Sequence, residues 1–419
     1  MFSTLKNHDY RLLWMGQGVS ILGDQFYLVA LPWLVLQLTR DPVQLGLVLA
    51  AAGVPRALFM LVGGAWADRH SPRTIMLVSD VVRFAAVGYI GIATLASSIR
   101  MWQVYVVAVI FGTVSGFFIP AAQSAIPRLL EDQALERGNA LMRIVENGAA
   151  FLGPAAAGVL IATFGSQVVA GETTASLAGI GVAMAFDSAT FLFSAACVAF
   201  VRHLRAPESH PDTHPIADIA EGLRFAWRTP AVRVLIALIA LVNFALAGPL
   251  QVGVPLLAST RLGGAAAFGV IMSALAGGRL VGMAVAGSRG RPARVALRTL
   301  MVASYTLYGA AMVWLIVVSA TWQALPLLAL VGAVDGYVGI LIVSQLQRMT
   351  PQPMLGRAMG IVMLSIFGMM PLSQAIAGWV SAFSLAALFA GSAVAMGAIA
   401  LFAWSRRDIH SLTAGDDPS

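Results

Sequence analysis

The sequence predicts an all-α membrane protein of twelve transmembrane helices, arranged as two six-helix parallel pseudo-repeats. Three observations carry that fold class. Of the 419 residues, 59% are hydrophobic and only 11% charged, whereas a soluble globular chain carries roughly 25% charged residues. Apolar runs long enough to span a bilayer recur along the whole length, and the chain matches itself at an offset of 220 residues. At about 20 residues per crossing, one or two spans would not absorb so much apolar sequence, and a dozen joined by short loops do.

In order, the spans are expected at about 11–38, 43–65, 74–97, 102–127, 139–164, 176–200, 232–258, 266–287, 295–318, 322–346, 355–378 and 382–404. The positive-inside rule tests this count, because Lys and Arg near span ends gather on the cytoplasmic side. With both termini cytoplasmic, 19 basic residues fall inside and three outside (Arg40, Arg100, Arg261), while Arg56, Arg83, Arg143 and Arg279 lie within spans. An odd number of spans destroys that alternation. The first residues, with Lys6, His8, Asp9 and Arg11, do not read as a cleavable signal, so the first span is expected to stay as an anchor.

The organisation expected is an N-terminal bundle over 1–201, a linker over 202–230, a C-terminal bundle over 231–405 and a cytoplasmic tail over 406–419. Pro and His punctuate the first part of the linker. Its second part places Ile216, Ile219, Leu223 and Trp227 opposite Asp218, Glu221, Arg224 and Arg228, the pattern of a helix lying in the headgroup region or against the bundle. The repeat gives 19 identities over the 90 positions 69–158, against roughly one in ten expected from composition. Trp102-Gln103 meets Trp322-Gln323, and Arg128 and Arg137 meet Arg348 and Arg357. An offset containing six spans preserves orientation, as parallel transporter repeats require, and such transporters bind substrate between halves.

The loop between spans 2 and 3 reads Gly64-Ala-Trp-Ala-Asp68-Arg69-His-Ser-Pro-Arg73. Gly lets helix ends approach, Asp caps a helix or pairs with Arg, and the arginines engage neighbouring helix ends. In this topology the loop resembles the Gly-x-x-x-Asp-Arg-x-x-x-Arg signature of the major facilitator superfamily, which implies the major facilitator fold. Span 1, with Gly16-Gln-Gly-Val-Ser20-Ile-Leu-Gly23-Asp24 followed by Ala30-Leu-Pro-Trp33, is similar to the macrolide-efflux and enterobactin-exporter branch. Gly148, Gly153-Pro154 and Gly158 in span 5 resemble the antiporter signature of superfamily exporters, although Ala157 replaces a usual Gly. Gly153 and Pro154 are a pivot or seal under that resemblance, and packing residues otherwise. The equivalent loop of the second half, Gly287 to Arg294, lacks the Asp.

Five acids (Asp24, Asp80, Glu146, Asp187, Asp335) and four arginines fall inside spans. Facing lipid, nine charges would cost on the order of 25–30 kcal/mol, so they must face the interior and mostly pair. Asp24 continues a polar stripe of Gln17, Ser20 and Tyr27; it carries a proton, meets a cationic substrate, or pairs with Arg56. Asp335 is a second candidate, with Tyr337 nearby and Arg279 as a possible partner. Arg143 and Glu146, three apart in span 5, form either a coupling site or a static salt bridge. Asp80 and Arg83 read as structural, and Asp187 is expected to meet span 4 or 5. Phe117 and Asn243 complete the candidate lining of a substrate cavity.

The leading functional expectation is secondary active efflux of an amphiphilic drug, macrolide or siderophore-like molecule by alternating access with proton antiport. Lipid flipping, such as that of a lysophospholipid, and a non-transporting sensor or assembly partner are the alternatives. No enzyme motif is present, and the sole lysine, Lys6, leaves no phosphate-binding Gly-x-x-x-x-Gly-Lys loop. No cofactor and no metal site are expected, since Cys197 is the only cysteine. The partners expected are the small substrate, protons and membrane lipid, without nucleic acid, and the chain is expected to act as a monomer in a bacterial-type inner membrane.

Overall fold

The computed structural model describes residues 2–169, 172–202, 204, 224, 227–289 and 297–406. Side chains at 2, 3, 61, 65, 67–69, 132, 166–169, 172–175 and 353 lie outside the described set, as does most of the linker helix expected after Pro215. Twelve described helices are long and apolar enough to cross a membrane. They are α1 (His8–Thr39), α2 (Pro42–Arg69), α3 (Pro72–Leu95), α4 (Met101–Leu129), α5 (Asp132–Phe164) and α6 (Ala178–Phe200). In the second half they are α7 (Pro230–Leu262), α8 (Ala265–Arg289), α9 (Leu297–Val317), α10 (Thr321–Met349), α11 (Leu355–Phe383) and α12 (Leu385–Ser405).

Local chemistry sets the helix starts. Asn7 caps α1 by accepting from the backbone N–H groups of Asp9 and Tyr10 at 3.0 and 3.1 Å. Asp41 does the same for α2 through Val43 N at 2.8 Å, and Pro42, Pro72 and Pro230 occupy first turns, where a missing N–H is harmless. α5 begins about two turns earlier than hydropathy predicts, because its first residues are charged and hydropathy registers only the part of a helix that suits lipid. Between α5 and α6 the chain forms a two-stranded antiparallel hairpin, β1 (Ser166–Val169) with β2 (Glu172–Ala175), a small addition to the all-α architecture.

The chain divides into two compact units, Met1–Asp212 with Ala258–Ser273, and Thr213–Leu257 with Ala274–Ser419. In the first, Tyr10, Leu13, Met76, Phe118, Ala121 and Leu141 form a buried core, and the Tyr10 hydroxyl donates to the Gly138 carbonyl at 2.8 Å. In the second, Leu235, Met301, Tyr305, Tyr308, Leu346 and Met396 play that part. Large apolar side chains such as Ile92, Leu152, Phe383 and Val394 remain exposed. A bilayer solvates such a surface, and the helices satisfy their own backbone groups, as lipid demands.

Glycines bring selected helices into backbone contact. A Cβ on Gly112 or Gly116 of α4 would strike α2 at the backbone of Ala52 and Arg56; one on Gly332 or Gly336 of α10 would strike α8 at Leu275 and Arg279. α7 leaves regular geometry at two π-helical turns, Pro249–Gly253 and Ala258–Leu262, and reaches α8 through Gly263 and Gly264, both with φ near +90°. Residues with a Cβ are strained in that conformation.

Candidate functional site

The charged side chains inside the first unit converge on one cluster. Asp24 of α1 is half-buried, and the charges of Arg83 on α3 and Arg56 on α2 act on it. Asp80 is fully buried one turn from Arg83 and accepts from the Ser194 hydroxyl of α6 at 2.7 Å. Arg83, only 3% exposed, lies over the Phe118 ring at 4.1 Å, with Phe111 and Phe191 at 5.4 and 5.5 Å. Three ring faces offer a cation attraction worth about 0.5–2 kcal/mol each without competing water.

The α1 stripe turns into this unit's interior. Gln17, Ser20 and Tyr27 are 5%, 2% and 6% exposed. Tyr27 stacks on Phe111 with ring centroids 4.3 Å apart, and neither its hydroxyl nor the Gln17 amide nitrogen has a hydrogen-bond partner among the described residues. Asp187 of α6 is fully buried with its carboxyl against Gly23 of α1. This differs from the expected contact with span 4 or 5, because α6 packs most extensively on α1 and α3.

In the second unit Arg279 Nη2 of α8 lies 2.7 Å from Asp335 Oδ2 of α10, and the Tyr308 hydroxyl of α9 donates to Asp335 Oδ1 at 3.4 Å. Tyr337 packs half-buried against the core of that unit, and Asn243 Nδ2 returns to the Ile239 carbonyl at 2.8 Å within its own helix. Arg143 and Glu146 pair at 3.2 Å on an exposed stretch of α5, with side chains 77% and 41% exposed. Phe117 lines a groove of about 390 Å³ with Trp66, His70, Val78 and Val114.

The loop signature divides into parts. Arg73 donates to the Val198 carbonyl at 3.3 Å and to the Ala199 carbonyl, in the last turn of α6 where carbonyls lack the full set of intrahelical partners. A Cβ on Gly64 would meet open space, while one on Gly63 would strike Gly116 and Phe117 of α4. Asp68 and Arg69 end α2, and their side chains lie outside the described residues. Gly153 packs on Gln25 of α1, and the Pro154 carbonyl abuts Gly269 of α8. Ala155 N donates to Ser273 Oγ at 3.0 Å, so the α5 Gly-Pro element carries the first part of α8.

The family profile described as Major Facilitator Superfamily matches residues 13–372. The chain belongs to the Major Facilitator Superfamily. Among curated relatives, the multidrug efflux pump Tap of Mycolicibacterium fortuitum is 28% identical over 367 residues, covering 85% of each chain. The enterobactin exporter EntS of Shigella boydii serotype 18 is 26% identical over 86% of this chain and 82% of its own. In fold, a mutant form of the nucleoside transporter NupG superposes with a TM-score of 0.75 at 11% identity, over 94% of this chain and all of that one. A bacterial homologue of the iron transporter ferroportin gives 0.72 at 14% over 95% of this chain and 99% of its own. The chain is therefore a multi-pass inner-membrane protein of the facilitator type, in the branch that its span 1 resembles.

Several facilitator features here carry no sequence signal. The offset of 220 does not pair Arg56 with Arg279, yet each places its backbone against the second glycine of its partner helix, Gly116 or Gly336. The same offset sets Ala293 opposite Arg73, whereas Arg298 is the residue that donates to the end of the last helix of its half, at Trp404 O and 3.0 Å. The Arg83 aromatic cage joins α3, α4 and α6 and has no local pattern beyond Asp80 three residues earlier.

Proposed function

We propose that this protein exports amphiphilic small molecules, drug-like or siderophore-like, by alternating access coupled to proton entry, with both termini cytoplasmic. The observation that carries the reading is Asp24, a half-buried carboxyl on the polar stripe of a largely apolar spanning helix, with the charges of Arg83 and Arg56 acting on it. A charge in that position costs about 3 kcal/mol or more unless compensated, and a carboxyl that changes partners between two states is suited to gain and lose a proton. The similarity to a multidrug pump and an enterobactin exporter over most of the chain supports the substrate class. Asp335, with Arg279, is the second coupling candidate, and Glu146 with Arg143 the third. Gly64, Asp68, Arg69, Arg73, Gly153 and Pro154 are assigned to the conformational change, and Gln17, Ser20, Tyr27, Arg56, Phe117, Asn243, Arg279 and Tyr337 to substrate contact.

Ethidium accumulation in an efflux-deficient host tests the reading. Expression lowers accumulation, and dissipating the proton gradient or introducing Asp24→Asn restores it. Accumulation that ignores the gradient while expression still lowers it rules out proton antiport. Labelled lysophospholipid uptake into spheroplasts, with no effect on ethidium, transfers the function to lipid movement.

A further inference from the structure

α7 departs from regular geometry midway, and side chains of two other helices of the second unit hold the departure. Phe244 and Gly248 are a four-apart pair, whose carbonyl and N–H face each other in a regular helix. Ser373 of α11 serves both: its hydroxyl accepts from the Gly248 N–H at 2.7 Å and donates to the Phe244 carbonyl. The next carbonyl, that of Ala245, has no N–H four residues ahead, because position 249 is a proline. Ser392 of α12 donates to it instead, at 2.7 Å. Directly beyond lies the π-helical turn Pro249–Gly253, where Gln374 Nε2 of α11 donates to Gln251 Oε1 at 2.8 Å. Ser373, Gln374 and Ser392 are all buried, so these bonds form away from water.

In the first half the corresponding contact is plain packing. The offset of 220 sets Gly153 opposite Ser373 and Gln25 opposite Ala245. Gly153 lies directly against the Gln25 side chain, and α1 runs as one α-helix from His8 to Thr39. A serine in place of the glycine puts a hydroxyl where it reaches the backbone of the neighbouring helix. Gly153-Pro154 of α5 therefore has Ser373-Gln374 of α11 as its counterpart.

Backbone groups inside a bilayer need partners throughout any movement. A hydroxyl that donates and accepts at once supplies both partners, so the Phe244–Gly248 contact can lengthen and shorten with neither group left bare. Side chains inserted into the helix ladder and π-turns are causes of helix bending. We propose that Ser373 and Ser392 form a clasp that makes residues 244–253 a hinge in α7. One state is the serine-bridged arrangement; the other is a continuous α-helix, in which the Gly248 N–H and the Phe244 carbonyl have only each other. The part of the hinge in transport rests on the alternating-access reading above; its existence does not.

Paired spin labels across α7 test it. Full-length protein in lipid nanodiscs carries Arg228→Cys and Thr260→Cys, both exposed positions, in a Cys197→Ser background. Double electron–electron resonance then reads the end-to-end distance without substrate or gradient. Ser373→Ala and Pro249→Ala each move the distribution toward the roughly 48 Å of continuous α-helix over that interval. Ser381→Ala, whose hydroxyl serves the Gly378 carbonyl of its own helix at 3.1 Å, leaves it in place. A distribution that neither Ser373→Ala nor Pro249→Ala moves overturns the hinge, and if Ser373→Ala does not fold, Pro249→Ala decides alone. Thermal unfolding reads the second serine: Ser392→Ala lowers Tm by about 2–4 °C in the wild type, and by less than half as much once Pro249→Ala supplies the missing N–H. Equal losses in both backgrounds overturn the clasp. In proteoliposomes Ser373→Ala lowers kcat for ethidium export and leaves KM unchanged; an unaltered kcat strikes the hinge from the transport cycle. A wild type that moves no ethidium refutes the export reading, while the distance and Tm results still decide the hinge.

Discussion

Arg279 of α8 holds Asp335 of α10 at 2.7 Å, and the pair is the single acid–base contact placed mid-helix in the described part of the second unit. Its side chains are 52% and 35% exposed, so solvent screening keeps the contact modest, about 1 kcal/mol. Thermal unfolding of Arg279→Gln, Asp335→Asn and the double variant measures the coupling. Each single variant lowers Tm, and the double variant is more stable than the sum of the two predicts. Strict additivity removes the pair from the account of stability.

Arg73 fixes the end of α6 by donating to the carbonyls of Val198 and Ala199. Charge-assisted bonds of this kind are worth about 1.5–3 kcal/mol together with the favourable end of the helix dipole. Cys197, the only cysteine, is buried one residue away. Arg73→Ala is expected to raise the rate of maleimide labelling at Cys197 at least about tenfold, the equivalent of 1.4 kcal/mol of local opening. Arg298→Ala, which acts on α12, leaves that rate unchanged.

The helix contacts at Gly112 and Gly332 tolerate no side chain, since a Cβ on either would collide with a backbone carbonyl. Gly112→Val and Gly332→Val should each cost about 1–3 kcal/mol or more by overpacking. Gly148 has open space around its missing side chain, and Gly148→Ala is neutral. Recovery of monodisperse protein by size exclusion compares the three.

Arg83 sits over three phenylalanine rings and faces three acids. Removing one partner of a buried charge network costs about 3–5 kcal/mol. Arg83→Gln is therefore expected to lower Tm severely, and Arg83→Lys to recover part of the loss, because the ammonium keeps the charge but lacks the planar stacking surface. Equal Tm for Lys and Gln variants would reduce the site to a shape requirement.

Much of the architecture follows from the chain itself. Lipid leaves helices as the economical way to satisfy a backbone, so apolar length alone locates twelve spans to within a few residues, except where α5 runs on beyond the apolar stretch. The loop signature and the span 1 motif are local, and they indicate the superfamily and its branch before any fold is known. The Arg279–Asp335 contact was legible as a possibility, because only so many partners exist for a membrane acid.

What the sequence determined by itself is composition, period and short motifs: how many helices, which loops carry charge, and which charges cannot face lipid. Apart from the Arg279–Asp335 pair, which buried charge meets which was decided by tertiary structure. Asp187 turned to α1, Arg56 became the counterpart of Arg279, and Arg298 took the part of Arg73 across a shifted register. The physical reason is that long-range pairing depends on helix rotation and axial shift, and these are set by the summed packing of small residues, as at Gly112 and Gly116, with no trace at the charged positions themselves.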